Sequence, residues 1–96
     1  MRPSLALASN REAARAAVLR YRTTNLRVFG SVLRGEDREG SDLDLLVDPL
    51  PGTTLFDLGG LQVELEDLLG VPVDLLTPGD LPEHWRAAVL AEARRV

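Results

Sequence analysis

A Gly-Ser pair followed by an Asp-x-Asp pair constrains the fold of this chain more than any other part of its sequence. A short apolar run ends in Gly30-Ser31, and after ten further residues Asp42 and Asp44 open a second apolar run. In an extended segment, the side chains at positions i and i+2 project from the same face. The pattern therefore predicts a strand with both acids on one face, roughly 6.5–7 Å apart at the backbone, where both can bind the same divalent ions.

The length and composition predict one domain over residues 1–96, in which residues 1–9 form a flexible lead-in. The chain has no cysteine, which excludes disulfides and thiolate metal sites. No apolar run approaches a membrane span, which needs about 18 residues. The apolar stretch near the N-terminus is also too short for a secretory signal. We therefore expect a cytoplasmic protein without a membrane partner.

The charge balance argues against a long nucleic acid as the main partner. The net charge is −4, and the 11 basic residues, all arginine, are scattered among 15 acids. A protein that neutralises many phosphates usually carries a basic stripe instead. The absence of lysine also excludes lysine-based phosphate motifs such as the Walker A sequence. Arginine can still bind a phosphate through two parallel hydrogen bonds.

Hydrophobic periodicity predicts strands that alternate with helices, which argues for an α/β sheet covered by helices. We expect strands over residues 26–29, 41–48 and 73–77. We expect helices over 10–22, 54–69 and 80–94, and one or two helical turns over 31–34. The predicted helix starts are Ser9 or Asn10, Thr54 with Asp57, and Asp80 with Glu83.

A third acid, Asp74, lies in the apolar strand between Val73 and Leu75. If that strand lies beside residues 41–48, Asp74 faces the same side as Asp42 and Asp44. Three carboxylates on one face repel one another unless cations lie among them. Oxygen ligands of this kind suit Mg²⁺ or Mn²⁺. Two such ions, about 3.5–4 Å apart, would stabilise the attacking and leaving oxygens of a phosphoryl displacement.

The Gly-Ser turn supplies groups that can bind phosphate. Glycine lets the backbone approach a triphosphate closely, and a residue at the start of a helical turn offers free N–H groups to an anion. Arg34 either binds a phosphate through its guanidinium or pairs with Glu36, Asp37 or a partner. Gly30, Ser31 and Arg34 are thus the candidate nucleotide-binding residues.

These residues carry a family resemblance. The segment GSVLRGEDREGSDLDLLVD resembles the signature of the minimal nucleotidyltransferases, the MNT branch of the DNA polymerase beta superfamily. That signature is Gly-Ser, ten residues and Asp-x-Asp, and it falls on Gly30, Ser31, Asp42 and Asp44. The later segment GVPVDLLTP resembles the one that carries the family's third acid, which falls on Asp74. No motif residue is replaced.

The resemblance implies an α/β (α+β) fold of the polymerase-beta-like nucleotidyltransferase type, with helices packed on a short mixed sheet. It implies that ATP is the substrate and that Mg²⁺ is held by the catalytic acids Asp42, Asp44 and Asp74. An acceptor hydroxyl attacks the α-phosphorus, AMP is transferred and pyrophosphate leaves. Chains this short commonly occur as antitoxins, so the resemblance implies a HEPN-type ribonuclease toxin as the partner in a hetero-oligomer.

Size independently favours a protein acceptor, because a chain of 96 residues has no room for a separate acceptor domain. Two other functions stay open on the sequence alone. The chain could act as a non-catalytic, nucleotide-binding module that neutralises its partner by docking. It could also transfer the nucleotide to a small molecule such as an aminoglycoside, in a pocket completed by a second subunit.

The sequence leaves other polar residues with structural or solvent-exposed roles. Asp48 shares the parity of the two acids but ends its strand, so we expect a solvated or turn role. His84, the one histidine, is expected at the surface or in packing rather than as a base. The acids Glu64, Glu66 and Asp67 read as a solvated helix face. Gly59-Gly60 either kink their helix or allow close packing.

Overall fold

The computed structural model describes residues 1–96 as four helices and four strands. The helices are α1 (Pro3–Ser9), α2 (Arg11–Leu19), α3 (Leu55–Leu69) and α4 (Glu83–Glu92). The strands are β1 (Thr23–Phe29), β2 (Leu43–Pro49), β3 (Val73–Leu76) and β4 (Arg94–Arg95), and a 3-10 turn spans Pro78–Asp80. None of the helices has the length and apolar character needed to cross a membrane.

The strands form one mixed sheet in the order β3-β2-β1-β4. Strand β2 runs parallel to β3, while β1 is antiparallel to both β2 and β4. The predicted architecture, helices on a short mixed sheet, is therefore confirmed. The fourth strand was not expected, because the sequence analysis predicted a helix as far as residue 94. Arg94 and Arg95 instead pair with Val28 and Arg27 of β1.

The core lies between one face of the sheet and helices α2 and α3. Leu43, Leu45 and Val47 project from β2 into this core with no exposed surface. Helix α3 contributes a buried stripe, and α2 contributes small residues and a valine; these are Leu61, Leu65, Leu69, Ala14, Ala17 and Val18. The alternation along β2 thus places the apolar residues on the helix side and leaves the acids on the other side.

The N-terminal segment forms a helix, so the expectation of a flexible lead-in over residues 1–9 is wrong. Pro3 occupies the first turn of α1, where its missing N–H carries no penalty. Ala6 and Leu7 are buried in the core. Asn10 donates a side-chain hydrogen bond back to Ala6 O at 2.8 Å, and neither it nor Ser9 caps α2 through its side chain.

The loop before β2 is anchored to α1 by a buried carboxylate. The side chain of Asp37 has no exposed surface, whereas the sequence suggested an entirely solvated loop. It accepts a hydrogen bond from the Ser4 amide at 2.9 Å and one from Arg2 at 3.3 Å. The hydrogen bond from the Ser4 amide and the contact with Arg2 hold the pKa of Asp37 below its ordinary value.

Helix α3 begins and ends as expected. Thr54 and Asp57 form a reciprocal capping box, with hydrogen bonds of 2.9 and 3.1 Å. Gly70 ends the helix in the left-handed conformation, at φ 69°. Gly60 allows close packing, because a Cβ atom there would lie 2.9 Å from Tyr21 Cε1. Gly59 has no atom within 4 Å of the corresponding position.

Two predicted local structures differ from the observed ones. Residues 31–35 form hydrogen-bonded turns in place of the predicted helical turns, with Glu36 N donating to Ser31 O at 2.8 Å. Asp80 does not begin α4. It accepts hydrogen bonds from Thr77 N and Thr77 Oγ1 at 2.9 and 3.0 Å and so stabilises the 3-10 turn, while α4 starts at Glu83 after Pro82.

Candidate active site

The register of the two parallel strands places two of the predicted acids side by side. Asp44 in β2 is directly opposite Asp74 in β3, and the flanking pair Leu43 and Val73 is buried in the core. Paired residues on neighbouring strands project from the same face. Asp44 and Asp74 therefore share the sheet face away from α2 and α3, as the sequence analysis required.

The Gly-Ser turn lies against the same carboxylate. Phe29, the last residue of β1, lies opposite Asp44, and the next residue, Gly30, turns the chain with φ 74°. A Cβ atom at Gly30 would lie 2.1 Å from Asp44 Oδ2, so this position accepts only glycine without a shift. The turn and the Asp-x-Asp strand, which are separate in the sequence, thus form one site.

Electrostatics link all three acids. Partial burial raises the pKa of Asp44 above its ordinary value, and the negative charges of Asp74 and Asp42 raise it further. Arg34 is close enough to act in the opposite direction and lower the pKa. Asp42 and Asp74 are exposed, whereas Asp44 is half-buried. The site therefore holds more negative charge than its protein surroundings neutralise.

The donor set suits a divalent metal ion. Three carboxylates supply the oxygen ligands that Mg²⁺ and Mn²⁺ prefer, and a cation would relieve the repulsion that raises the pKa of Asp44. No three acidic or histidine side chains of the structure are already gathered at ligand distance of one another. The fit of the metal therefore rests on donor chemistry and on electrostatic coupling.

Ser31 and Arg34 lie in the turn that follows Gly30. Arg34 N donates to Gly30 O at 3.2 Å, which folds the turn back on itself. The Arg34 side chain is half-exposed, and its Nε lies 2.6 Å from Glu36 Oε1. Of the two roles left open for Arg34, the structure shows the pairing with Glu36. This pair is exposed, and exposed ion pairs contribute little to stability, so a phosphate can compete for the guanidinium.

Three other acids on β2 and α3 have structural partners. Asp48 pairs with Arg27 and accepts a hydrogen bond from Asn25 at 2.9 Å, so its role is neither solvated nor metal-binding. Glu64 pairs with Arg20 at 2.8 Å. Glu66 Oε2 accepts from Val73 N at 3.0 Å and so anchors the start of β3 beside the site. This contact was not predicted, because Glu66 has the periodicity of a solvated helix face.

The site is an open surface. The three clefts of the structure, of about 280 to 550 Å³, are lined by residues other than the three acids. The cleft of about 280 Å³ touches the site region through Leu33 and Arg34. His84 lies on α4 beside Trp85, with ring centroids 4.8 Å apart, and is exposed. The chain itself thus supplies carboxylates and a turn but no enclosed acceptor pocket.

Comparisons with known proteins identify relatives of this chain. The sequence profile of the nucleotidyltransferase domain family matches residues 11–96. A Methanocaldococcus jannaschii protein classed as a protein adenylyltransferase is 38% identical over 76 residues, which are 79% of this chain and 82% of the relative. The protein adenylyltransferase MntA of Thermococcus cleftensis is 40% identical over 73 residues, which are 76% of this chain and 74% of the relative.

Solved structures of other proteins share the fold of nearly the whole chain. A structure of a protein classed as a minimal nucleotidyltransferase superposes with a TM-score of 0.87 at 45% identity, covering 97% of this chain and 95% of that one. A crystal structure of a toxin–antitoxin with AMP-PNP shares the fold, with a TM-score of 0.69 at 21% identity, covering 88% of this chain and 70% of that one. The profile, the identities and the fold agree, and the chain belongs to the nucleotidyltransferase domain family, among its minimal nucleotidyltransferases.

Proposed function

We propose that this nucleotidyltransferase moves AMP from ATP to a hydroxyl group of a partner protein in a magnesium-dependent reaction. The observation that carries the proposal is the pairing of Asp44 with Asp74 across two parallel strands, with Gly30 in contact with Asp44. This arrangement supports the proposal because it puts a negatively charged face, the proposed metal site, directly beside the proposed phosphate-binding turn. The cytoplasm, where ATP is available, is the proposed location.

In this mechanism the chain positions the substrate and neutralises charge. Asp42 and Asp44 would hold two metal ions, and Asp74 would hold the ion nearer the acceptor and help to accept the proton of its hydroxyl group. Bound magnesium would supply charge neutralisation at the attacking and leaving oxygens. Backbone N–H groups of Gly30 and Ser31, the Ser31 hydroxyl and Arg34 would hold the β- and γ-phosphates. Positioning and preorganised charge account for most of the rate enhancement in such sites.

A protein acceptor is favoured over a small molecule because the three acids lie on an open surface without an enclosed pocket. A partner could present a side-chain hydroxyl to such a surface. The names of the relatives point to the same acceptor class, since they describe protein adenylyltransferases. The structural neighbour described as a toxin–antitoxin suggests a toxin as the partner. We propose a HEPN-type ribonuclease, encoded beside this chain, as that toxin.

The test is the transfer of AMP from labelled ATP to the protein encoded next to this chain. With Mg²⁺ present, the wild-type chain should increase the mass of the partner by one or more AMP units. The double variant D42N/D44N keeps the size of both side chains but removes two charges, and it should lower the transfer rate by at least about 10³-fold, as expected when metal binding is lost.

The matched control is D48N, which changes an acid on the same strand that already pairs with Arg27. It should retain transfer, so a loss confined to D42N/D44N assigns the activity to the paired acids. Full transfer by D42N/D44N would refute the site. A complex with the partner that forms without any gain in mass would favour the docking module instead.

A further inference from the structure

The loop that leads from the Gly-Ser turn to Asp42 is exposed except at one residue. Of residues 34–40, Asp37 alone is buried, and its side chain has no exposed surface. Cβ atoms at Gly35 and Gly40 would meet nothing within 4 Å. An ordered backbone has lost conformational entropy, which contacts must offset. The one buried side chain that can offset this loss in the loop is therefore a carboxylate.

The partners of Asp37 lie at the start of α1. The Ser4 amide, in the first turn of the helix, donates to Asp37 Oδ2 at 2.9 Å, and it needs a partner because the first amides of a helix have none within the helix. Arg2, whose side chain is half-exposed, donates to Asp37 Oδ1 at 3.3 Å. A buried carboxylate is costly unless hydrogen bonds satisfy it. The shorter bond, from a fixed backbone donor, is the stronger of the two contacts.

Helix α1 is itself fixed to the core, so it gives the loop a rigid attachment. Ala6 and Leu7 of α1 belong to the buried core cluster. The same cluster contains Leu43, the residue that follows Asp42. The middle of the loop is thus bonded through Asp37 to the same core that holds β2.

The residues on either side of the buried carboxylate are bonded toward opposite ends of the loop. On one side, Glu36 N donates to Ser31 O at 2.8 Å, in the Gly-Ser turn. On the other side, Arg38 N donates to Ser41 Oγ at 2.9 Å, and Ser41 N donates back to Arg38 O at 3.0 Å. Ser41 directly precedes Asp42. These bonds connect the buried carboxylate to the first of the three acids.

We propose that Asp37 is a positioning residue of the active site, which holds Asp42 in place through its hydrogen bond from the Ser4 amide. Asp42 needs this support because it is exposed and precedes β2, whereas Asp44 lies within the strand, opposite Asp74. The inference rests on the proposed function, in which Asp42 is a metal ligand. Asp37 acts through the loop and contacts neither the metal nor the nucleotide.

The first test requires neither ATP nor a partner protein. Binding of Mn²⁺ to the free chain is titrated through the electron paramagnetic resonance signal of unbound Mn²⁺. D37A should raise the dissociation constant for Mn²⁺ at least about tenfold, as loss of a group that orients a metal ligand commonly does. D37L, which has a side chain of similar size and no acceptor, should have the same effect and is the second variant in case D37A does not fold. D37N keeps an oxygen that can accept from the Ser4 amide, so it should recover most of the affinity.

E39A is the matched control. Glu39 is an acid of the same loop that pairs with the Met1 amine at 3.2 Å. Both groups are exposed, and exposed ion pairs contribute little to stability, so E39A should retain the affinity of the wild type. Circular dichroism checks that each variant is folded.

The order of the loop shows whether the effect passes through it. Order parameters from ¹⁵N relaxation, for the amides of residues 36–41, should fall below about 0.6 in D37A and stay near the wild-type values in D37N and E39A. In the transfer assay, D37A should lower kcat at least about tenfold. The KM for ATP should change less, because Gly30 is also held against Asp44.

Three results would overturn the inference. They are a D37A chain that binds Mn²⁺ as the wild type does, equal losses in D37A and E39A, and a loss of affinity in D37A without a change in loop order. A D37N chain as impaired as D37A would also overturn it, since the effect would then not depend on the bond from Ser4. A wild-type chain that binds Mn²⁺ but transfers no AMP would instead refute the proposed function, and the Mn²⁺ and order measurements would still decide the role of Asp37.

Discussion

At the scale of single residues, Asp44 combines partial burial with two acidic neighbours. Burial and the charges of Asp74 and Asp42 together raise its pKa. An acid whose pKa is higher in the folded state takes up protons on folding, so the free energy of unfolding falls as the pH rises through the range between the unfolded and folded pKa values. The charged site therefore reduces the stability of the fold at neutral pH.

The variant D44N should accordingly be more stable than the wild type at neutral pH when divalent cations are removed. The difference in melting temperature should shrink as the pH falls and should vanish below about pH 3.9, the unfolded pKa of Asp, where both side chains are neutral. Thermal melts in a chelator across this pH range measure it. Added Mg²⁺ should raise the melting temperature of the wild type but not that of D44N.

The control for this prediction is D48N. Asp48 pairs with Arg27 and Asn25, so its loss should lower the melting temperature at neutral pH. A D44N variant that is less stable than the wild type at neutral pH would contradict the electrostatic account of the site.

Gly30 gives a second prediction at this scale. G30A places a methyl group where Asp44 Oδ2 now lies, at a backbone φ of 74° that alanine adopts at a cost of about 1 kcal/mol. We expect G30A to lose transfer activity by at least about 10²-fold, since a displacement of about 1 Å has that effect in a positioned site. The measurement is the rate of AMP transfer by the folded variant.

G35A serves as the control for G30A, because Gly35 has a similar φ of 71° but no atom within 4 Å of its Cβ position. It should share the backbone cost and retain the activity. Equal loss in both variants would assign the effect to the backbone conformation and not to the carboxylate.

At the scale of elements, the contact between α3 and the turn that follows α2 depends on Gly60. G60A should destabilise the chain despite the gain in helix propensity of about 1 kcal/mol, because its methyl group would lie 2.9 Å from the Tyr21 ring and overpacking costs about 1–3 kcal/mol. In the background of Y21A, the same substitution should be neutral or stabilising. Chemical denaturation of the four chains of this double-mutant cycle measures the coupling; additive effects would contradict the contact.

The elements that local pattern determines were predictable from the sequence. Strand β2 follows from its alternation, and α3 follows from its leucine spacing, the Thr54–Asp57 box and Gly70. The position of Asp74 beside Asp44 could be predicted only if β3 was assumed to pair with β2, because this pairing is a long-range contact. The site residues were predicted from the spacing between the Gly-Ser and Asp-x-Asp pairs and from the assumption that β3 pairs with β2.

The elements that long-range contacts determine were not predictable. Helix α1 is short, and its stability depends on burial of Leu7 and on the hydrogen bond from Ser4 to Asp37. Strand β4 has two residues, Arg94 and Arg95, whose composition indicates no strand, and it exists because β1 offers a free edge. Glu66 looked solvated because its partner, the Val73 amide, lies in another element.

At the scale of the whole molecule, the two faces of the sheet have different roles. Its helix side holds the core, and its other side presents Asp44 and Asp74 to solvent beside Gly30. No cleft of the structure encloses those acids. The proposed protein acceptor would therefore lie across an open surface.

This arrangement predicts selectivity by acceptor size. With ATP and Mg²⁺ alone, the chain should not transfer label to an aminoglycoside at a measurable rate, because a small molecule gains little contact on an open face. The folded partner protein should be labelled under the same conditions. Thin-layer chromatography and intact-mass measurement separate the two products, and efficient labelling of the aminoglycoside would contradict the inference about the acceptor.

The pairing of β3 with β2 has a further consequence. If β3 slipped by one residue along β2, Asp74 would enter the hydrophobic interior and Val73 would leave it. The slipped arrangement would be too unstable to persist, so an error in assembly would produce an unfolded chain and not a folded, inactive enzyme. The buried leucines and valines on the opposite face of the sheet thus restrict folded molecules to the register that pairs the carboxylates, although these residues do not take part in the reaction.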